Sequence, residues 1–118
     1  MVNLPRGNSA VLDVILTDIG GSPFILGVGD KAVFTVKRRD NRQDTPIIQK
    51  ILTAEQCGKN GKIAIRLVPE DTIALETGDY LFDVAVCIND EDFYTTVIAD
   101  TFRILPALGD KEAVKWLT

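Results

Sequence analysis

The chain has 118 residues, of which 46% are hydrophobic and 25% are charged. This length and composition exclude a disordered or fibrous chain and predict one folded domain with a packed core. Its 17 acidic and 13 basic residues give a net charge of -4, which repels a phosphate backbone, so we expect no nucleic acid partner.

The chain contains no histidine, so it lacks the commonest general base near neutral pH and the commonest metal ligand. Its two cysteines, Cys57 and Cys87, have no histidine to activate them and no further cysteine to complete a zinc site. We therefore expect free thiols, no metal, no cofactor, no catalytic residues and no enzymatic activity.

The N-terminal residues form no signal peptide, because the segment 1–8 has no apolar stretch and Asp13 interrupts the next apolar run. No segment is apolar enough to span a membrane. The sequence therefore predicts synthesis in the cytoplasm and no membrane partner.

Two strands are predicted in the first third of the chain. Segment 10–17 places Leu12, Val14 and Leu16 on one face, and a turn rich in glycine and proline follows it. In segment 31–38, Ala32, Phe34 and Val36 form the face that should be buried, and the residues between them form a partly exposed face.

The middle of the chain predicts two more strands. Segment 47–52 is rich in β-branched residues, although its alternation leaves the inward face open. Thr53 and Gln56 have the spacing of a capping box, which indicates one helical turn. A turn signal at Asn60 and Gly61 precedes the strand 62–68. Three of its residues should point inward, namely Ile63, Ile65 and Leu67.

The next stretch predicts the corner of the fold. Pro69 and the two acids after it suit the first turn of a short helix. Tyr80 follows Leu75 and Gly78, the position of a corner tyrosine whose hydroxyl bonds back to the preceding backbone. The strand that follows should bury the alternate residues Tyr80, Phe82, Val84, Val86 and Ile88.

The end of the chain predicts an acidic turn, a last strand and a helical tail. Residues 89–92 lack the spaced acids and glycine of a calcium loop, and the strand 93–105 should carry a bulge at Asp100 and Thr101. In the tail, Trp116 and Leu117 share a helical face and are the candidate interface. That face either packs on its own domain or docks on a neighbouring subunit.

Short strands separated by turns about every ten residues, without alternating helices, predict an all-β fold. We expect an antiparallel immunoglobulin-like β-sandwich of six to seven strands with a short C-terminal helical tail. The domain should span residues 1–118, with its core in 9–105 and a C-terminal extension in 106–118.

Charge is distributed unevenly along the sequence. Residues 31–66 carry nine bases and three acids, whereas residues 67–102 carry nine acids and no base. Copies of such a chain could stack head to tail as a homo-oligomer, unless the strands interleave and mix the charges on each surface.

Four segments together resemble small β-sandwich domains of phage and prophage tail proteins from Gram-positive bacteria, including the N-terminal domain of phage baseplate upper proteins. These segments are 29–37, 48–50, 65–72 and 75–84, and the resemblance covers residues 9–105. It implies a non-enzymatic adapter whose partners are other phage tail or baseplate proteins. If the chain is assembled, the resemblance places it in the virion.

A carbohydrate-binding module of a bacterial or phage surface is the alternative function. Such modules present aromatic side chains to the sugar. Aromatic residues here mostly fall at core positions, and Phe93, Tyr94 and Trp116 are too few to build a platform. The aromatic residues assigned to the core are Phe34, Tyr80, Phe82 and Phe102.

Overall fold

The computed structural model describes residues 1–18, 20–38, 45–58, 60–89 and 91–107, with the backbone alone for residues 96–98. The predicted C-terminal helix, with Trp116 and Leu117, lies outside the described residues. Regular structure in the described part is almost entirely β-strand, which confirms the all-β prediction.

The described residues form seven strands, one 3₁₀ turn and one short helix. The strands are β1 (Val2–Pro5), β2 (Ala10–Ile15), β3 (Lys31–Arg38), β4 (Ile48–Thr53), β5 (Lys62–Leu67), β6 (Gly78–Ile88) and β7 (Asp92–Leu105). The 3₁₀ turn spans Ala54–Gln56, and the helix α1 spans Pro69–Thr72.

The strands form two sheets. One has five strands in the order β1-β7-β6-β3-β4, and the other pairs β2 with β5. All pairs are antiparallel except β1 with β7, which run parallel from the Val2 and Phe102 pair to the Pro5 and Leu105 pair. The prediction of a purely antiparallel arrangement is therefore wrong. Parallel neighbours need a long connection, and here all the strands from β2 to β6 lie between the two.

Alternation along the strands determines which residues enter the core. β3 buries Ala32, Phe34 and Val36, as predicted, and β4 buries Ile48 and Leu52, which resolves its open register. The inward residues of β5 are also buried. The core cluster joins both sheets and includes Leu4 of β1, a strand that precedes the first predicted one.

Three phenylalanines form the centre of this core. The rings of Phe34, Phe82 and Phe102 lie 5.7 to 6.3 Å apart between centroids, in tilted and edge-to-face arrangements that aromatic pairs prefer. Their burial confirms the assignment of these aromatics to core positions.

Both predicted helical turns are present. In the first, the amide of Thr53 donates to the side chain of Gln56 over 2.9 Å. In the second, Asp71 accepts from the amide of Val68 over 2.8 Å and so satisfies a free donor at the start of α1. Asp71 also contacts Lys50 of β4 at 3.0 Å, which connects the helix to the larger sheet.

The bulge of β7 lies earlier than predicted. Phe82 pairs with Asp100, whereas Ala85 pairs with Thr95, so two extra residues of β7 lie between Thr95 and Asp100. Ala99 there has a φ of 22°, a strained value for a residue other than glycine. The bulge interrupts the β7 ladder in its middle and not at Asp100 and Thr101.

Candidate functional site

The three residues of the predicted corner lie together where the chain enters β6. Tyr80 is 8% exposed, and its hydroxyl donates to the backbone carbonyl of Glu76 over 2.7 Å. Gly78 has a φ of 137°, which favours glycine, and Leu75 packs against the core. All three residues stabilise the fold.

A cleft of about 580 Å³ opens between β2 and the β6–β7 hairpin. Its lining comes from β2 and the turn after it, from the loop before β3, and from the end of the hairpin where β6 meets β7. These residues are Val14, Ile15, Leu16, Thr17, Asp18, Phe24, Val86, Ile88, Tyr94 and Thr95.

The cleft exists because the smaller sheet covers only part of the larger one. Leu12 and Val14 of β2 are only half-buried, although both point toward the core. Their ladder partners on β5, Ile65 and Ile63, are 1% and 0% exposed. Apolar cover is therefore missing along the outer side of β2, where no described strand pairs with it.

A tight turn forms the wall of the cleft that follows β2. The carboxylate of Asp18 accepts from the amide of Ser22 over 3.0 Å, while the amide of Asp18 donates to the carbonyl of Ser22 over 2.8 Å. The amide of Phe24 then donates to the carbonyl of Leu16 over 2.9 Å. These bonds fold Phe24 back over the end of β2.

Asp30 holds the neighbouring loop against the end of β6. One of its carboxylate oxygens accepts from the amide of Gly27 over 2.9 Å, and the other accepts from the amide of Asn89 over 3.2 Å. Asn89 has a φ of 52°, which asparagine tolerates better than most residues. A single side chain thus joins the loop to the hairpin turn.

The hairpin contributes an aromatic side of the cleft. Tyr94 pairs with Val86, so both side chains point to the same face of the larger sheet. Tyr94 is 56% exposed, and Phe93, which points to the opposite face, is 63% exposed. Tyr94 therefore presents its ring both to the cleft and to solvent.

The chemistry of the cleft suits binding of apolar groups. Its lining is aliphatic and aromatic, with one carboxylate, two threonine hydroxyls and a phenol as polar groups. Within the described ranges, no three His, Cys, Asp or Glu side chains lie close enough to hold a metal ion. Cys57 and Cys87 are free thiols, and both are half-buried.

The shifted ionisable groups lie outside the cleft. Burial raises the pKa of Asp83, partly opposed by Lys37. The hydrogen bond from the N-terminal amine lowers the pKa of Asp100. Arg103 binds Asp79 at 2.6 Å, and this bond raises the pKa of Arg103.

Sequence reasoning did not identify the cleft. Alternation places Val14, Leu16, Val86 and Ile88 in the core, and nothing in the sequence connects Tyr94 with them. The half-burial of β2 depends on strand order, which alternation does not report. The sequence signal that could have indicated the cleft is the adjacent aromatic pair Phe93 and Tyr94 beside an acidic turn. Both side chains are exposed in the structure.

No helix in the described ranges combines the length and the apolar content that crossing a bilayer requires. Comparison of the chain with protein family models, with curated proteins and with solved structures found no significant match.

Proposed function

We propose that this chain is a non-enzymatic structural module of a phage or prophage tail or baseplate, and that it acts by protein–protein assembly. The observation that carries the proposal is the open apolar cleft beside β2. A strand whose outer edge has no described partner, next to half-buried apolar side chains, favours addition of another protein segment. The resemblance of residues 9–105 to phage tail sandwich domains supplies the biological setting.

An immunoglobulin-like sandwich is the architecture that we propose. In that fold, strand B neighbours strand E, and strands C, F and G are adjacent in the other sheet. The pairs β2–β5, β3–β6 and β6–β7 would then correspond to B–E, C–F and F–G. The Tyr80 bond at the start of β6 supports this assignment, because a corner tyrosine lies at the start of strand F. The position beside β2, which strand A takes in that fold, has no described strand, because β1 pairs with β7.

Assembly through the cleft is better supported than assembly through a separation of charge. The basic strand β3 lies between β4 and β6, and β6 carries acids. The two regions also form an ion pair across the fold, since Lys50 of the basic region contacts Asp71 of the acidic region at 3.0 Å. The charge difference along the sequence is therefore mixed in space.

Two isoleucines offer a matched test of the proposed function. Ile15 lines the cleft and is 61% exposed, whereas Ile51 on edge strand β4 is 55% exposed and lies outside the cleft lining. We expect Ile15→Arg to weaken self-association or binding to co-encoded tail proteins, and Ile51→Arg to leave it unchanged. Light scattering over a concentration series and pull-down with those proteins measure this. A wild-type chain that stays monomeric and binds none of them contradicts the proposal.

A carbohydrate-binding module is the second candidate, and one observation favours it. Tyr94 offers an exposed ring in the cleft close to the polar groups of Asp18 and Thr95, which is how protein sites stack and orient a sugar. Chemical-shift changes of the cleft residues on titration with bacterial wall saccharides would support this function. Their absence, together with binding to tail proteins, would exclude it.

A further inference from the structure

We propose that residues 113–118 of one copy of this chain dock in extended form beside β2 in the cleft of a second copy, with Trp116 as the anchor. This inference rests on the proposed assembly function and names the occupant of the cleft. It gives the chain a donor segment and an acceptor site, so that copies join head to tail.

The open edge of β2 provides hydrogen-bonding groups for an incoming segment. The amide of Leu16 donates to the carbonyl of Gly61, in register with the pairs Val14–Ile63 and Leu12–Ile65. Because the backbone groups of a strand alternate in direction, those of Val11, Asp13 and Ile15 point away from β5. A segment that lies beside β2 can pair with them and cover the half-buried side chains.

The edge of β7 across the cleft is less suited to pairing. The two extra residues between Thr95 and Asp100 and the φ of Ala99 break its ladder, and bulges of this kind protect edge strands. On the described part of β2, the pairing with β5 continues without a break from Ala10 to Ile15. We therefore assign the incoming segment to β2.

The composition of the donor segment matches the cleft. Residues 113–118 carry one base, Lys115, and no acid, and four of the six residues are apolar. The cleft is lined by aliphatic side chains and by Asp18. Asp92 points to the same face as Ile88, with which it pairs. Large apolar anchors in a pocket with a polar rim of opposite charge are typical of specific interfaces.

The length of the chain favours a second copy over the same one. Thr95 at the cleft pairs with Ala85, and Ile104 pairs with Gly78, so the cleft lies roughly 23 Å along the sheet from the end of β7. The nine steps of the chain from Ala107 to Trp116 span at most about 32 Å when fully extended.

Folding back onto its own cleft would therefore require about 23 Å of this reach of about 32 Å, more than two thirds of it. It would also require a path along the outer edge of β7, where β1 already pairs with residues 102–105. A neighbouring copy has neither restriction. Because the donor segment follows the end of β7 in the sequence and the cleft lies near the start of β7, the contact joins two different surfaces, so it is heterologous and generates a ring or an open chain of copies.

The single tryptophan of the chain makes this docking directly measurable. We expect the fluorescence emission of Trp116 to shift to shorter wavelength as the wild-type concentration rises, in step with the mass from light scattering. Trp116→Ala and Ile15→Arg should each weaken self-association by about thirtyfold, the effect expected for an interface anchor. Ile51→Arg should leave it unchanged, and circular dichroism should show the same fold for all variants.

A mixing experiment separates head-to-tail docking from other contacts. Trp116→Ala has an intact cleft and Ile15→Arg has an intact donor segment, so an equimolar mixture should form dimers although each variant alone is monomeric. If Ile15→Arg does not fold, Thr95→Arg replaces it on the opposite side of the cleft. Failure of the mixture to form dimers overturns the inference.

Two other results overturn the inference while leaving the proposed function in place. One is wild-type association that neither variant weakens. The other is a blue-shifted emission that does not depend on concentration, which would show that the segment docks on its own chain, provided that the chain still binds tail proteins. A wild-type chain that neither associates with itself nor binds tail proteins overturns both.

Discussion

The phenol of Tyr80 donates a hydrogen bond to the backbone carbonyl of Glu76 over 2.7 Å, across the corner that connects α1 to β6. The tyrosine ring packs in the core cluster, so the bond links the turn to the interior of the fold. This bond secures the crossing of the chain from the smaller sheet, which ends with β5, to the centre of the larger one.

Removing this hydroxyl should destabilise the fold. We expect Tyr80→Phe to lower the free energy of unfolding by about 1–2 kcal/mol, because the carbonyl of Glu76 loses a partly buried partner. Urea denaturation measures the change. Tyr94→Phe is the control, since Tyr94 is 56% exposed and its substitution should have almost no effect. Equal stability of the two variants would mean that the corner bond contributes nothing.

Alkaline pH should weaken the same corner. Burial raises the pKa of Tyr80 above its ordinary value of 10.0; Arg38 opposes this shift, and Glu76 adds to it. The folded state therefore keeps this proton to a higher pH than the unfolded state does. The stability from Tyr80 is complete below pH 10 and is lost as the pH rises through the pKa of the folded state.

The measurement is the melting temperature as a function of pH, compared between the wild-type chain and Tyr80→Phe. The wild-type chain should lose more stability than the variant above pH 10. Ultraviolet titration of the Tyr94→Phe variant then reports the ionisation of Tyr80 alone, because the chain has two tyrosines. Parallel pH curves for the two proteins would contradict this prediction.

The sequence predicted the strands well because their signal is local. The bounds of β3 agree with the predicted segment, and the buried faces of β3 and β5 follow from their alternation. The corner was likewise predictable, since Leu75, Gly78 and Tyr80 lie close together in the chain. In each case the residues that determine the structure are neighbours in sequence.

Features that depend on distant contacts were not predictable. β1 has only four residues, including Pro5, which is too short for an alternation pattern. The sequence therefore did not predict this strand or its parallel pairing with β7. The cleft arises from the order of the strands, which leaves the outer side of β2 open. The shift of the bulge away from Asp100 depends on pairing with β6, which the sequence of β7 alone does not contain.

Gly61 combines a local turn signal, which the sequence reports, with distant contacts, which it does not. Its substitution gives a third prediction. Its φ of 77° fits the predicted turn, but a side chain there would also meet the carbonyl oxygens of Leu16 and Phe24 at 2.6 and 2.8 Å. We expect Gly61→Ala to cost roughly 2–4 kcal/mol, from backbone strain plus overpacking. Thermal unfolding measures this cost.

Gly21 is the matched control for Gly61. Its φ is 84°, and a Cβ added there would meet nothing within 4 Å. Gly21→Ala should therefore cost only the conformational penalty, about 1 kcal/mol. If both variants lose the same stability, the contacts with Leu16 and Phe24 have no energetic consequence.

Thr72 gives a fourth prediction, because it is a fully buried polar residue at 0% exposure. Its hydroxyl accepts from the amide of Gly7 over 2.9 Å, which joins α1 to the turn between β1 and β2. Thr72→Val keeps the shape but leaves that buried amide without its partner, so we expect a loss of about 1–3 kcal/mol. Thr77→Val, at an exposed position, should change stability by less than about 0.5 kcal/mol. Chemical denaturation that shows no difference between the two would exclude this role of the hydroxyl.

Asp30 gives the last prediction, which connects the fold to the cleft. Because its carboxylate holds the amides of Gly27 and Asn89, Asp30→Ala should speed hydrogen exchange at both positions. The loss of two partly exposed bonds should lower the free energy of unfolding by only about 1 kcal/mol. Asp13→Ala is the control, since the exposed pair of Asp13 with Lys62 at 3.6 Å contributes little.

The same Asp30 variant should also weaken self-association, because the loop that it releases borders the acceptor cleft. Light scattering of Asp30→Ala at the same concentration as Glu55→Ala measures this effect; Glu55 is the control because it is exposed on the 3₁₀ turn and does not line the cleft. If Asp30→Ala exchanges faster at Gly27 and Asn89 yet associates as the wild-type chain does, the order of this loop is not required for docking. In that case the acceptor surface is confined to β2 and the hairpin.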